Sequence, residues 1–281
     1  MTTSPLAPPF PLTALLSAAA RAAHLVVDDA PHLLADTLAA RLLGPDGDAP
    51  IGYHRADPSH PVLRAARVES TVRARFAENL LAASGVRQYV LVGAGLDTFA
   101  YRSRGVAVLE VDLPVVQERK REAVSRAGLA GPVTYVPADL AVTPLDQALR
   151  AAGADTGEPI VVAALGLTMY LTRDELAGLL ASVARWPGGA HLVADHLLPP
   201  DDDERRGYDD AVGSAVAQGG ETWRTTLGAE EAADLALAAG FATARTTNQR
   251  DALPPELWIR TDGLRPGGVS GLLHAATRGL R

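Results

Sequence analysis

Residues 90–102 read VLVGAGLDTFAYR. An apolar run that stops at Gly93, Ala94 and Gly95 is a strand end at which backbone N–H groups can come close to a ligand, because glycine has no Cβ in the way. The next apolar run, VLEVD, ends at Asp112, nineteen residues after Gly93. An acid at that place and spacing accepts hydrogen bonds from both hydroxyls of a ribose. Glu110 shares its face, but Asp112, with Leu113 beside it, is nearer the strand tip. A third run, VTYVPADL, ends in Asp139 and Leu140. The Asp139 carboxylate suits an adenine amino group and the Leu140 N–H a ring nitrogen; an acid there also suits an ordinary turn. Together the three strand ends outline a site for ribose and adenine.

The glycines also bear on phosphate. A dinucleotide site has the pattern G-x-G-x-x-G, with a helix N-terminus under the pyrophosphate. Here the text is Gly-Ala-Gly-Leu-Asp-Thr. The third glycine is missing, and Asp97 would repel a pyrophosphate. S-adenosyl-L-methionine carries no phosphate and has a positive sulfonium, so these residues favour it as cofactor. A nicotinamide-dependent oxidoreductase is the less favoured alternative.

Stepping outward, the sequence must supply strands that end together. Short apolar runs at 88–93, 106–112, 133–140, 159–165 and 190–197 alternate with helical patterns, as in an α/β, doubly wound, Rossmann-like sheet. ATARTTNQ and SGLLHAATR read as two closing strands. In the helix TRDELAGLLASVARW, Thr172 and Glu175 have capping-box spacing. Ahead of the sheet, 12–27, 31–43 and 61–83 have helical periodicity; residues 1–11 are Pro-rich and read as loose, and 44–59 as a surface loop. This divides the chain into an N-terminal helical cap (1–83) and a core (84–281). The core carries an acidic, Gly-rich lid insertion at about 199–226, with Tyr208, Trp223 and Arg224.

Of the 281 residues, 47% are hydrophobic, ample for a sizeable core. The net charge is -7 and no Lys/Arg block stands out, which argues against nucleic acid as a partner. No apolar run has the length of a membrane span. The chain has no cysteine, so disulfides and thiolate chemistry are excluded. PFPLTALLSAAARAAH lacks a basic leading region and reads as a helix rather than a cleaved signal. A cytoplasmic setting is the expectation.

GVRQYVLVGAGLDTFAYR followed by LEVDLPVVQERK resembles the leucine carboxyl methyltransferase family, in its actinobacterial branch. The opening LTALLSAAARAAHLVVDDAPHLLADTLAARLLG is similar to the N-terminal region of that branch. The resemblance implies a class I methyltransferase using S-adenosyl-L-methionine on a small molecule, in a setting such as specialised metabolism. It places the methionine part against Gly93, Ala94 and Gly95, the ribose at Asp112, and the adenine at Asp139 and Leu140. It gives the cofactor's carboxylate to basic residues of the N-terminal helices: Arg21 and Arg73 match best, with Arg67 as a near alternative. One departure stands out. The family pattern A-E-G-L-L-M-Y-L reads ALGLTMYL here, with Leu165 in place of the Glu. That argues against the C-terminal leucine of a protein phosphatase as acceptor, and it keeps open a cofactor-binding homologue that has lost methyl transfer.

Methyl transfer to a carboxylate needs no base, whereas a hydroxyl acceptor benefits from one. His196, at the end of the fifth strand, and Tyr170 are the candidate catalytic residues. His60, His191 and His274 have no two-ligand spacing, so no metal site is expected. The acceptor itself and the oligomeric state are not written in the sequence.

Overall fold

A computed structural model describes residues 10–201 and 203–280. Four helices come first: α1 (Leu12–Val27), α2 (Ala39–Leu43), α3 (Asp48–Ala56) and α4 (Pro61–Ser84). There follow β1 (Gln88–Val92), α5 (Phe99–Arg102), β2 (Ala107–Asp112), α6 (Pro114–Arg126), β3 (Val133–Pro137), α7 (Leu145–Ala151) and β4 (Ile160–Ala164). Then come α8 (Arg173–Ala184), β5 (Ala190–Leu197), α9 (Asp203–Gln218), α10 (Ala229–Ala238), β6 (Thr243–Thr247), α11 (Gln249–Ala252) and β7 (Ser270–Ala276). The loose opening read from the sequence falls, over residues 1–9, outside the described residues.

The seven strands form one sheet in the order β3-β2-β1-β4-β5-β7-β6. β1 to β5 run parallel, and β7 lies antiparallel between β5 and β6. Every residue of β1, β4 and β5 is buried, which is why these strands read as continuous apolar runs rather than alternating ones. α7, α8 and α10 cover one face and α4 with α5 the other. Val90, Val162 and Leu192 are fully buried at the centre; each such side chain contributes roughly 1.5–3 kcal/mol. α8 starts with the capping box expected of Thr172 and Glu175.

Three expectations change. Residues 31–38 are not helical. There His24 Nε2 takes the Leu33 N–H, and Asp36 Oδ1 takes the N–H groups of Leu38 and Ala39. Side chains satisfy these donors, so the backbone does not need helical bonds. Residues 44–59, read as a loop from their Gly, Pro and Asp content, instead form a 3-10 turn (Gly44–Gly47) and α3. Burial of Ile51 and His54 overrides the weak local propensity. The 199–226 insertion contains a 16-residue helix, α9.

The N-terminal helices are joined by buried ion pairs. Arg67 Nε and Nη2 reach the Asp28 carboxylate at 2.7 and 3.0 Å, and Nη2 also reaches the Pro58 carbonyl. Burial tends to raise the Asp28 carboxyl, but hydrogen bonds from His24 and Arg67 hold it below the usual range. Beside the guanidinium, burial pushes His54 down to about 4, with the Arg67 charge adding to the drop.

Candidate functional site

β1 has β2 on one side and β4 on the other, so the chain reverses its strand order there. In such sheets ligands bind beyond the carboxyl ends of the strands at that point. Two cavities open at this place, of about 490 Å³ and 660 Å³. They share Val92, Gly93, Asp112, Leu113 and Leu167 as walls.

The turn after β1 is built around Asp112. Gly93 and Gly95 both have positive φ, +65° and +42°. The Gly93 and Ala94 N–H groups donate to the Val111 carbonyl, at 2.9 and 3.3 Å. The Gly95 N–H donates to Asp112 Oδ2 at 2.8 Å, and Leu113 N–H to Oδ1 at 2.8 Å. The turn's N–H groups are therefore engaged within the protein. The glycines let neighbouring side chains close on the turn: a Cβ on Gly93 would stand 3.3 Å from Leu167, and one on Gly95 3.3 Å from Ala14. Burial raises the Asp112 carboxyl above its ordinary value, and the two amides oppose the rise. Asp97 Oδ1 accepts the Phe99 N–H and so starts α5.

Asp139 and Leu140 line the second cavity, in the loop after β3 rather than on the strand, which stops at Pro137. Asp139 Oδ1 accepts the Ala141 N–H at 2.9 Å and shapes the loop. The surrounding wall is apolar, with Leu167, Leu171, Leu179 and Val142.

The first cavity extends from the glycine turn to the tips of β4 and β5, beneath α1 and α4. Arg73 lines it, with Nη1 3.0 Å from Asp195 Oδ2 and Nη2 2.9 Å from Ser17 Oγ. Arg21 lines it too, but is largely engaged: Nε meets Asp36, Nη1 meets Ser17, and Nη2 meets the Leu96 carbonyl. Since Thr98 Oγ1 also donates to Asp36, Arg21 and Asp36 together hold the glycine loop. Arg67 does not line either cavity; its partners belong to the N-terminal helices. Leu165 lines the first cavity. Next to it, Gly166 (φ +68°) donates its N–H to Asp195 Oδ1 at 2.5 Å, and a Cβ there would stand 2.7 Å from Arg73 Nη2.

The two catalytic candidates fare differently. His196 lines neither cavity. Its Nδ1 donates to the Leu227 carbonyl at 3.0 Å, and its ring lies against Gly271. Strand alternation explains this: adjacent side chains on β5 point to opposite faces. Asp195, one residue earlier, is the one aimed at the cavity. It is 1% exposed, and the sequence reading did not single it out. Tyr170 does line the cavity, and its hydroxyl accepts the Trp223 Nε1–H at 3.4 Å. Burial pushes its phenol up, so at neutral pH it is a hydrogen-bonding group and not a base.

The segment after α9 forms the outer wall. Glu221 accepts both the Thr13 N–H (3.1 Å) and the Thr13 hydroxyl (2.5 Å), satisfying an amide at the start of α1 that the helix itself leaves unpaired. Trp223 packs beside Gly213, while the Arg224 N–H donates to the Met169 carbonyl at 2.7 Å. The side chain of Tyr208 lies outside the described residues. Among the described residues there is no cluster of His, Asp or Glu suited to a metal ion, and no helix is long and apolar enough to cross a membrane.

The residues and the geometry have counterparts. A family model of leucine carboxyl methyltransferases matches residues 14–184. The chain is 36% identical over 197 residues to a provisionally named S-adenosyl-L-methionine-dependent methyltransferase of Mycolicibacterium smegmatis, covering 65% of each chain. It is 35% identical over 163 residues to another of Mycobacterium avium, covering 55% of this chain and 50% of that one. It thus spans between half and two thirds of these relatives' length. Among solved structures, it superposes on a provisionally named methyltransferase of Thermobifida fusca with a TM-score of 0.55 and 16% identity, over 85% of this chain and 92% of that one. A DUF574 family protein of Streptomyces avermitilis gives the same TM-score and identity, over 92% and 96%. At that identity the likeness concerns the fold.

Proposed function

Because the chain belongs to the leucine carboxyl methyltransferase family, we propose that it is an S-adenosyl-L-methionine-dependent methyltransferase acting on a hydroxyl or carboxylate of a small molecule. The observation that carries this reading is Asp112, a carboxylate held by two backbone amides at the wall shared by both cavities. Each of its oxygens has a further acceptor site, enough for the two hydroxyls of a ribose. From there the apolar second cavity, with Asp139 and Leu140, suits an adenine. The first cavity suits the amino-acid end, where an Arg fork matches a carboxylate. Arg73 would bind that group, and Arg21 would fix the turn beneath it. Asp195 would meet the α-amino group and so replace the acid that Leu165 withholds, since it reaches the amide next to Leu165.

The cofactor, when bound, supplies a methyl group already activated by its sulfonium. The protein's part is alignment and exclusion of water. Tyr170, Trp223 and the Glu221–Thr13 contact enclose the cavity on the side away from the sheet. His196 has no role at the reacting atoms in this reading. Incubation with a methyl-labelled donor and a panel of hydroxy and carboxy compounds tests it. Transfer of label to at least one compound is expected. Tight cofactor binding with no label transferred to any of them would count for a homologue that has lost transfer.

A further inference from the structure

Beyond the groups assigned to the cofactor, the first cavity has a wall with two aromatic rings. Leu165, Tyr170, Trp223 and Val269 line it and are half-buried, so each leaves apolar surface open. Backbone bonds hold the wall together. The Arg224 N–H donates to the Met169 carbonyl at 2.7 Å, the Leu227 N–H to the Leu197 carbonyl at 2.9 Å, and the Leu198 N–H to the Val269 carbonyl at 3.0 Å. The segment after α9, the turn that carries Tyr170, the end of β5 and the start of β7 therefore form one surface.

The rings are held in place. The Trp223 Nε1–H donates to the Tyr170 hydroxyl at 3.4 Å. The six-membered ring of the indole packs on Gly213 of α9, where a Cβ would stand 3.4 Å away. With its N–H engaged, the indole offers a ligand ring surface. Size limits the occupant. A cavity of about 490 Å³ has the volume of a site for one drug-sized molecule, yet it must take the amino-acid end of the cofactor and the acceptor together. That leaves room for a small ring system. Arg21, Arg73 and Arg224 line the cavity along with several carboxylates, so charge does not choose the body of the ligand.

We propose that this wall is the acceptor subsite and that it selects a small molecule with a flat aromatic body, which packs against Trp223 and Tyr170 and leaves its hydroxyl or carboxylate for methyl transfer. Aromatic rings attract one another beyond the area they bury, so a flat ring gains more here than a saturated one of the same skeleton. Calling the subsite the acceptor's rests on the methyltransferase reading. The preference for an aromatic ring does not, and binding alone measures it.

Two alcohols of one skeleton test it: 2-naphthol and its saturated counterpart, decahydro-2-naphthol, titrated calorimetrically into the full chain with and without S-adenosylhomocysteine. 2-Naphthol is expected to bind at least about threefold more tightly. Trp223→Leu and Tyr170→Leu, which keep the wall apolar, are expected to diminish that preference. In the unsubstituted protein, with its three tryptophans labelled with nitrogen-15, an indole N–H resonance should shift as 2-naphthol is added. Binding of 2-naphthol no tighter than that of the saturated alcohol, a preference undiminished in both variants, no shift of any indole resonance, or no binding of 2-naphthol at millimolar concentration would each overturn the proposal. If 2-naphthol is preferred but S-adenosylhomocysteine does not bind, the cofactor reading falls and the aromatic subsite stands. If S-adenosylhomocysteine binds and the two alcohols bind alike, the subsite falls and the cofactor reading stands.

Discussion

On the β1–β3 side of the cleft, Gly93, Gly95, Asp112 and Asp139 come from one stretch of chain, and Asp112 and Asp139 are fixed by backbone amides beside them. On the α4–β5–β7 side, Ser17, Glu69, Arg73, Asp195 and Ser270 come from four elements and hold one another through side chains. The first half rests on the pairing of β1 with β2 and on the turn after β1, braced by Arg21 and Asp36. The second exists only once α1 and α4 have docked on the sheet. A substitution on the β1–β3 side should therefore act on ligand affinity, while one on the other side should act on affinity and stability together.

The largest expected effect is from Asp112→Ala. Losing two charge-assisted hydrogen bonds, at roughly 1.5 kcal/mol or more each, weakens S-adenosyl-L-methionine binding about a hundredfold. Calorimetry reads it directly, and an unchanged affinity would break the contrast. Asp195→Ala comes next. It unpairs Arg73 and the Gly166 N–H, so cofactor affinity falls about tenfold and stability by about 1–3 kcal/mol, measured by urea denaturation. Gly166→Ala puts a side chain at φ +68° and against Arg73, costing on the order of 1–3 kcal/mol in the same assay. The smallest effect is on catalysis in His196→Gln: kcat is expected to stay within about twofold, since the ring lines no cavity and a true base contributes about a hundredfold or more.

Acid should separate cofactor binding from stability as well. Burial raises the Asp112 carboxyl above 3.8, so it takes up its proton, and cofactor affinity falls, before pH reaches the ordinary aspartate range. The Asp36 carboxyl behaves oppositely: burial raises it, but Arg21 and Arg102 outweigh this and hold it below 3.8. Its contribution to stability is present above 3.8 and is lost only as pH falls through the lower folded value. Titration of binding and of unfolding against pH should show binding failing first.

The same contrast decides what was legible in the sequence. Gly93, Gly95, Asp112 and Asp139 stand at the ends of apolar runs, so strand pattern and spacing were enough to place them at the cleft. Asp195 sits beside the more conspicuous His196, and choosing between them required knowing which face of β5 the cavity occupies. Glu69 lies in RVESTVRARF, which reads as a solvated helix face until β7 is placed against it. The doubly wound sheet could be anticipated from alternation of helix and strand. The path of residues 31–59 could not, because side-chain bonds from His24 and Asp36 and the burial of Ile51 decide it against local propensity.

Calorimetric titration of the full chain with S-adenosyl-L-methionine and, separately, with NAD tests the central claim most directly. Binding of the first, with no heat from the second, is the expected result. Binding of NAD, or silence toward S-adenosyl-L-methionine, would contradict the reading of Asp112 and the glycine turn.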